Sequence, residues 1–344
     1  MLKKLYHKIW ENAEKYFKGG VELSRENLVS NTNLFYGEDE KNNSYDVYYP
    51  KDKFGKMPTI IFVHGGGYIS GKKEGTRNFC KLLAEKGFLV FNMEYTKCGK
   101  EENKFFPTPL YEFYDFYKHI SECSDFSNLI DYDNIFLSGD SAGVHIVSLI
   151  ANIQTNQELK MEFNLCGGPK VKGLLIMSPC FGIYNFKGLF PKGTYHDIIF
   201  GNKKIRNPLY KYTHNLDVLT EGFPPTLMIS VKTDLVVGVH KRMFLRMAEE
   251  LGLSVKHYEL YSGYKLFHSS MINHAEKYPH CFEKIEEFIH DSCENRFVNG
   301  VKKEILFEEV EKELKQNVKI ECDEQIELDE KTEEIDEGIL VVKM

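Results

Sequence analysis

The chain has 344 residues, 42% of them hydrophobic and 13% aromatic with a single Trp, which suits one large α/β core with insertions better than two separate cores. Its net charge of −7 is concentrated: residues 293–344 carry 16 acidic and 8 basic side chains, leaving the rest at +1 and excluding the basic footprint of a nucleic-acid binder. The cysteines show no C-x-x-C zinc or dithiol spacing, no run reaches transmembrane length, and no uninterrupted apolar stretch follows Met1-Leu2-Lys3-Lys4, so the expected setting is a reducing cytoplasm without stable membrane insertion.

In chain order, Leu2, Leu5, Tyr6, Ile9, Trp10, Ala13 and Phe17 recur at helical spacing before Gly19-Gly20. Residues 1–43 therefore read as an amphipathic helix and lead-in, docked on the domain as part of a cap in preference to lying on a membrane. β-Rich runs follow near 44–49, 59–63, 88–94, 134–138, 172–177, 226–231 and 255–260, and helical periodicity near 75–86, 107–122, 142–155, 238–251 and 271–290. This alternation over 44–292 predicts a mostly parallel central sheet with helices on both faces. Residues 180–223, rich in Phe, Tyr, Gly and Pro, break the rhythm and read as a lid-like insertion. Residues 293–344 read as an acidic tail with a charged helix near 302–316.

Two motifs carry chemistry. Gly139-Asp140-Ser141-Ala142-Gly143 follows the run Ile135-Phe136-Leu137-Ser138 and opens a helical stretch, the context of a nucleophile elbow. Small residues at both sides of Ser141 are what a strand needs to turn directly into a helix. The spacing alone has an expectation of about 0.1 by chance at this glycine and serine usage, so the context matters. The second motif, His64-Gly65-Gly66-Gly67, follows the apolar run Thr59-Ile60-Ile61-Phe62-Val63. Two of its amides and that of Ala142 can converge on one oxygen as an oxyanion hole; a phosphate cradle would want a Gly-Lys-Ser/Thr ending that is absent.

A serine hydroxyl needs a base, and the base an orienting carboxylate. Asp234 follows the strand run Thr226–Val231 and is the candidate acid, although a turn former or helix cap at that position is the plainer alternative. His268, in the loop after the run Val255–Leu260, is the candidate base. His257 lies within a strand run, His240 near a helix start, and His274, His280 and His290 in or beside the last helix, where core or surface roles are expected.

Taken in order, His-Gly-Gly-Gly, Gly-Asp-Ser-Ala-Gly, an acid and a histidine, the sequence resembles the hormone-sensitive lipase family of α/β-hydrolases over residues 44–290. Phe106-Pro107, Ser178-Pro179, Asn207-Pro208-Leu209 and Phe223-Pro224-Pro225 fall where that family has similar phrases. The resemblance implies an α/β-hydrolase fold with a helical cap, and an oxyanion hole at Gly66, Gly67 and Ala142. It implies carboxylester hydrolysis through Ser141, His268 and Asp234 on a small-molecule ester, with no metal or cofactor; the aromatic composition of 180–223, with the N-terminal helix, is expected to roof a pocket for acyl groups of short to medium length. The chain departs from the family at Thr96-Lys97-Cys98, where relatives read Arg-Leu-Ala, and at His268-Ser269-Ser270, where they tend to read His-Gly-Phe. A peptidase, a small-metabolite deacetylase and a non-catalytic binder stay open as alternatives, as does a homo-oligomer.

Overall fold

The computed structural model describes residues 24–99, 103–122, 125–183, 194–201, 207–263 and 266–307. Among these, nine strands make one sheet: β1 (Leu28–Phe35), β2 (Ser44–Pro50), β3 (Met57–Val63), β4 (Leu89–Met93), β5 (Ile130–Asp140), β6 (Val171–Met177), β7 (Thr226–Val231), β8 (Val255–Ser262) and β9 (Val301–Phe307). The helices are α1 (Arg77–Glu85), α2 (Thr108–Glu122), α3 (Ala142–Thr155), α4 (Gln157–Phe163), α5 (Thr194–Phe200), α6 (Gly238–Glu250), α7 (Ser270–Asn273) and α8 (Pro279–Cys293). The spatial order is β1-β2-β4-β3-β5-β6-β7-β8-β9, antiparallel at β1/β2 and β2/β4 and parallel from β4 through β3 to β9. This is the α/β-hydrolase fold.

The period-2 geometry of a strand splits the apolar residues between two helical layers. Ile61 and Val63 of β3, Leu137 of β5 and Ile176 of β6 join a core with Phe113 of α2, Val147 of α3 and Phe244 of α6. Their neighbours Ile60, Phe62, Phe136 and Leu175 point the other way, against Phe79 and Leu83 of α1 and Phe282 and Ile285 of α8. Both faces being covered explains why these strands read as continuous apolar runs. It also leaves the carboxyl ends of β3, β5, β6, β7 and β8 at one edge, where the connecting loops carry the polar residues.

Three readings change. The segment near 302–316 is a strand and not a helix over Val301–Phe307, and it pairs with β8 from Val255↔Val301 to Ser262↔Phe307. Its charged residues suit an edge strand, held by Lys303 Nζ to Glu259 Oε2 at 2.7 Å and Lys284 Nζ to Glu304 Oε1 at 3.3 Å. The sheet therefore runs past residue 292, the expected end of the domain. At the other end Leu28–Phe35, read as part of a cap lead-in, is the opposite edge strand, β1. The helix read at 2–17 lies outside the described residues.

The described part of 180–223 holds short helical pieces and is anchored. Phe106 N donates to Ile199 O of α5, and Asn215, in a 3₁₀ turn at Asn215–Val218, donates through Nδ2 to His145 O of α3 and to Ser148 Oγ. No helix of the described residues is long and apolar enough to cross a membrane.

Candidate active site

The chain turns directly from strand to helix at Ser141, between the last residue of β5 and the first of α3. Its φ of 51° and ψ of −114° lie where an L-residue is strained, at a cost of about 1–3 kcal/mol. The flanking glycines follow from backbone proximity: a Cβ on Gly143 would sit 2.0 Å from Val63 O, and one on Gly139 2.6 Å from Gly143 C. Any side chain at either position would push β5, β3 and α3 apart. Ser141 consequently stands above the sheet, partly accessible, at the positive end of α3.

The structure brings Ser141, His268 and Asp234 together. His268 Nδ1 donates to Asp234 Oδ2 at 2.8 Å, and its Nε2 lies 3.0 Å from Ser141 Oγ, placed to accept the hydroxyl proton. The three come from the ends of β5 and β7 and the loop after β8, and His268 and Asp234 are buried. Asp234 makes both kinds of contact considered for it. Its Oδ1 accepts from Val236 N and Val237 N, shaping the turn into α6, while Oδ2 orients the imidazole. Burial works against charge on His268, but the hydrogen bond and charge of Asp234, with Asp140 beyond, outweigh it and raise its pKa. Burial likewise opposes ionisation of Asp234, yet His268 and the two amides hold it below the ordinary carboxylate range.

Three other buried histidines have structural partners. His257 Nε2 lies 2.9 Å from Ser230 Oγ, and burial pushes it down to about 3. His240 Nδ1 accepts from Phe181 N, and burial lowers it to about 4. His145 bridges Tyr68 Oη at 2.6 Å and Thr213 O at 2.8 Å, joining the glycine loop to the 180–223 insertion.

The glycine loop runs beside the serine: a Cβ on Gly65 would come within 3.2 Å of Ser141 Cβ. Gly66 has a φ of 114°, and a Cβ there would meet Ser70 O at 2.2 Å, so the loop folds back on itself only because Gly66 is bare. Gly67 follows at φ 61°. Ala142 opens α3, where an amide has no carbonyl of its own helix to bond. The loop is anchored by a group invisible in its motif. Glu94 Oε1 lies 2.8 Å from His64 Nε2 and accepts from Lys97 Nζ, and Glu94 Oε2 accepts from Lys73 N at 3.0 Å. Tyr95 stacks on His64 at 4.3 Å. Burial opposes it, but Lys97 and His64 hold the Glu94 carboxyl well below its usual range, while burial and then Lys97 lower His64. The signal was the departure at Thr96-Lys97-Cys98, which places a cation three residues after a strand-end glutamate.

A second unforeseen pair joins the loops carrying Ser141 and His268. Ser269 Oγ donates to Asp140 Oδ2 at 2.7 Å, with Oδ1 at 2.9 Å, and both residues are buried. Burial pushes Asp140 up to about 6, against the opposing effects of His268 and the Ser269 hydroxyl. Among the described residues no group of three or more His, Cys, Asp or Glu is arranged to hold a metal ion.

Such an array can move a hydroxyl proton to an imidazole whose other nitrogen is held by a carboxylate, beside a loop of close-set amides. A family model, BD-FAE, matches residues 45–248, more than half of the chain and the stretch that holds the glycine loop, Ser141 and Asp234. The chain belongs to the BD-FAE family. This BD-FAE protein is similar to an isoprenylcysteine alpha-carbonyl methylesterase of Arabidopsis thaliana, 28% identical over 166 residues, which are 48% of this chain and only 38% of that protein. It is also similar to a kynurenine formamidase of Danio rerio, 25% identical over 239 residues, 69% of this chain and 75% of that one. Among solved structures it superposes on esterase B of Lactobacillus rhamnosis with a TM-score of 0.69 at 21% identity, over 86% of this chain and 96% of that one. At that identity the likeness is one of fold, and esterases of the hormone-sensitive lipase family are among the fold neighbours of this BD-FAE member.

Proposed function

We propose that this protein is a serine hydrolase of carboxylic esters. Ser141 is the nucleophile, His268 the general base and acid, and Asp234 the carboxylate that fixes the imidazole tautomer; Gly66, Gly67 and Ala142 donate to the oxyanion. The observation that carries the reading is the bridging of Asp234 and Ser141 by one buried imidazole, at 2.8 and 3.0 Å. Attack on the ester carbonyl moves the Oγ proton to Nε2, and the imidazolium returns it to the departing alkoxide. Water then attacks the acyl-serine with His268 again as base, freeing the acid and Ser141. No step calls on a metal or cofactor.

Acyl groups of short to medium length are the proposed substrates. Supporting this, Tyr68 follows the glycine loop and meets Phe106 edge-on, and Phe106 in turn meets Phe200 of the insertion, giving the loop an apolar flank. The likeness to kynurenine formamidase favours a second reading, hydrolysis of an aryl formamide by the same residues. A cytoplasmic setting belongs to the proposal, with Cys80, Cys98, Cys166, Cys180, Cys281 and Cys293 all free thiols. Ser141→Ala is expected to lose about 10⁶-fold in kcat on p-nitrophenyl acyl esters, and turnover unchanged by that substitution refutes the assignment. A series from acetyl to decanoyl, run beside an N-formyl aniline, ranks the substrate classes.

A further inference from the structure

Proton transfer between Ser141 and His268 depends on two loops that are 127 residues apart in sequence, and His268 sits on a connection and not on a strand. We infer that Asp140 and Ser269 are positioning residues, a clamp that sets the separation of Ser141 and His268. The inference rests on the proposed roles of those two residues.

Asp140 immediately precedes Ser141 and Ser269 immediately follows His268, so the bond between their side chains closes a small ring through both reacting residues. Its other side is the Ser141 to His268 hydrogen bond. A shift of the histidine loop by an ångström would have to break a bond that is fully buried and charge-assisted at pH above the Asp140 pKa. The Ser269 backbone adds a second attachment: its N donates to Ser178 Oγ at 2.9 Å, and Ser178 N donates to Ile229 O at 3.1 Å. The peptide after the base is thereby tied to the ends of β5, β6 and β7. Ser269 also lies at a φ of 59°, in the left-handed region where glycine carries no penalty and serine one of about 1 kcal/mol. What glycine would lack at this position is the hydroxyl, and that hydroxyl is spent on Asp140.

The two parts of the serine can be separated by experiment. Ser269→Gly removes the hydroxyl while relieving the backbone and Ser269→Ala removes it while keeping the strain, so both lose the bond to Asp140 and the glycine variant is expected to melt above the alanine variant. With p-nitrophenyl acetate at pH 8, Ser269→Gly, Ser269→Ala and Asp140→Ala are each expected to lower kcat by about 10²-fold, the scale of a 1 Å misplacement. KM stays within about twofold, because the residues touch no substrate. The double variant Asp140→Ala/Ser269→Gly is expected to be no slower than the worse single, where independent effects would give about 10⁴-fold. Asp140→Asn keeps an acceptor oxygen and is expected to recover kcat to within about tenfold of the parent. The clamp is overturned if Ser269→Gly retains parental kcat while Ser141→Ala is inactive, or if loss of activity across the series follows loss of melting temperature. Parental turnover in Ser141→Ala instead overturns the reading of the site, whatever the clamp variants do.

Discussion

His268 with Asp234 and His64 with Glu94 are the same chemical pair twice, at two ends of one sheet edge. Each imidazole nitrogen lies 2.8 Å from a carboxylate oxygen, and all four groups are buried. Burial lowers both histidines, yet the first ends above its ordinary pKa and the second below. At His268 the hydrogen bond and charge of Asp234 outweigh burial, whereas at His64 burial prevails over Glu94; the third charge adds to each outcome, a carboxylate, Asp140, near His268 and a cation, Lys97, 3.2 Å from His64 Nε2. The free nitrogen differs as well. That of His268 faces Ser141, whereas Nδ1 of His64 is spent on Gly65 O at 2.6 Å. A histidine and carboxylate at hydrogen-bond distance therefore identify no function by themselves; the neighbouring charge and what the second nitrogen reaches separate the proposed base from a brace.

The largest expected effect tests that separation. Asp234→Asn should lower kcat by about 10⁴-fold, because the amide favours the wrong tautomer of His268, while its loss of stability, one carboxylate partner being stranded, stays below that of Glu94→Gln, which strands two. Glu94→Gln should do the reverse: it leaves Lys97 and His64 without their carboxylate, costs about 3 kcal/mol in urea unfolding, and affects kcat far less than Asp234→Asn. Equal kinetic damage from the two substitutions would break the distinction drawn between the pairs.

How much of this the sequence discloses depends on how local each signal is. Ser141 and its glycines occupy five consecutive residues, and the steric demand that selects them acts between immediate neighbours, so the elbow is legible. Asp234 and His268 are legible by position, as polar residues after apolar strand runs. The bond between Asp140 and Ser269 spans 129 residues and leaves no periodicity or spacing to read. The edge strands failed for a different reason. Val301-Lys302-Lys303-Glu304-Ile305-Leu306-Phe307 carries three consecutive charged residues, two of them in ion pairs, so no apolar alternation marks it as a strand and it blends with the acidic residues after it. Leu28–Phe35 is similarly diluted by Ser30, Asn31, Thr32 and Asn33. The central strands, covered on both faces, had no such ambiguity.

Asp140→Asn sharpens the comparison at intermediate size. Neutralising the third charge at His268 removes one of the influences raising its pKa, so the acid limb of kcat/KM should move to lower pH; the base must be neutral, and activity falls as pH drops through that pKa. Stability should respond in the opposite pH range. A carboxyl whose pKa rises from 3.8 to about 6 on folding holds its proton more tightly in the folded state, so it costs stability as pH rises through that window and costs most above it. Asp140→Asn is then expected to stabilise the protein at pH 8 by up to about 3 kcal/mol in urea unfolding, with the gain vanishing as pH falls towards 4. An acid limb unmoved by this substitution would remove Asp140 from the account of why the two histidines diverge.

Lys97→Met makes the converse change at the other pair and should have the smallest effect, since Lys97 is partly exposed and touches neither Ser141 nor His268 by the bonds it makes. With the cation gone, Glu94 alone faces the ring, and the His64 pKa should rise; ring ¹⁵N shifts followed against pH measure it directly. The consequence for stability has a definite sign. A histidine whose folded pKa lies below 6.5 holds its proton less tightly when folded, so it lowers stability as pH falls through 6.5, whereas His268, raised by its carboxylates, contributes stability on the acid side that is lost as pH rises through its folded pKa. Raising His64 should therefore flatten the part of the acid decline in melting temperature that His64 causes, while the acid limb of kcat, set by His268, stays where it was. Movement of both together would mean that the two histidines titrate as one coupled system and that the glycine loop senses the protonation of the base across Ser141.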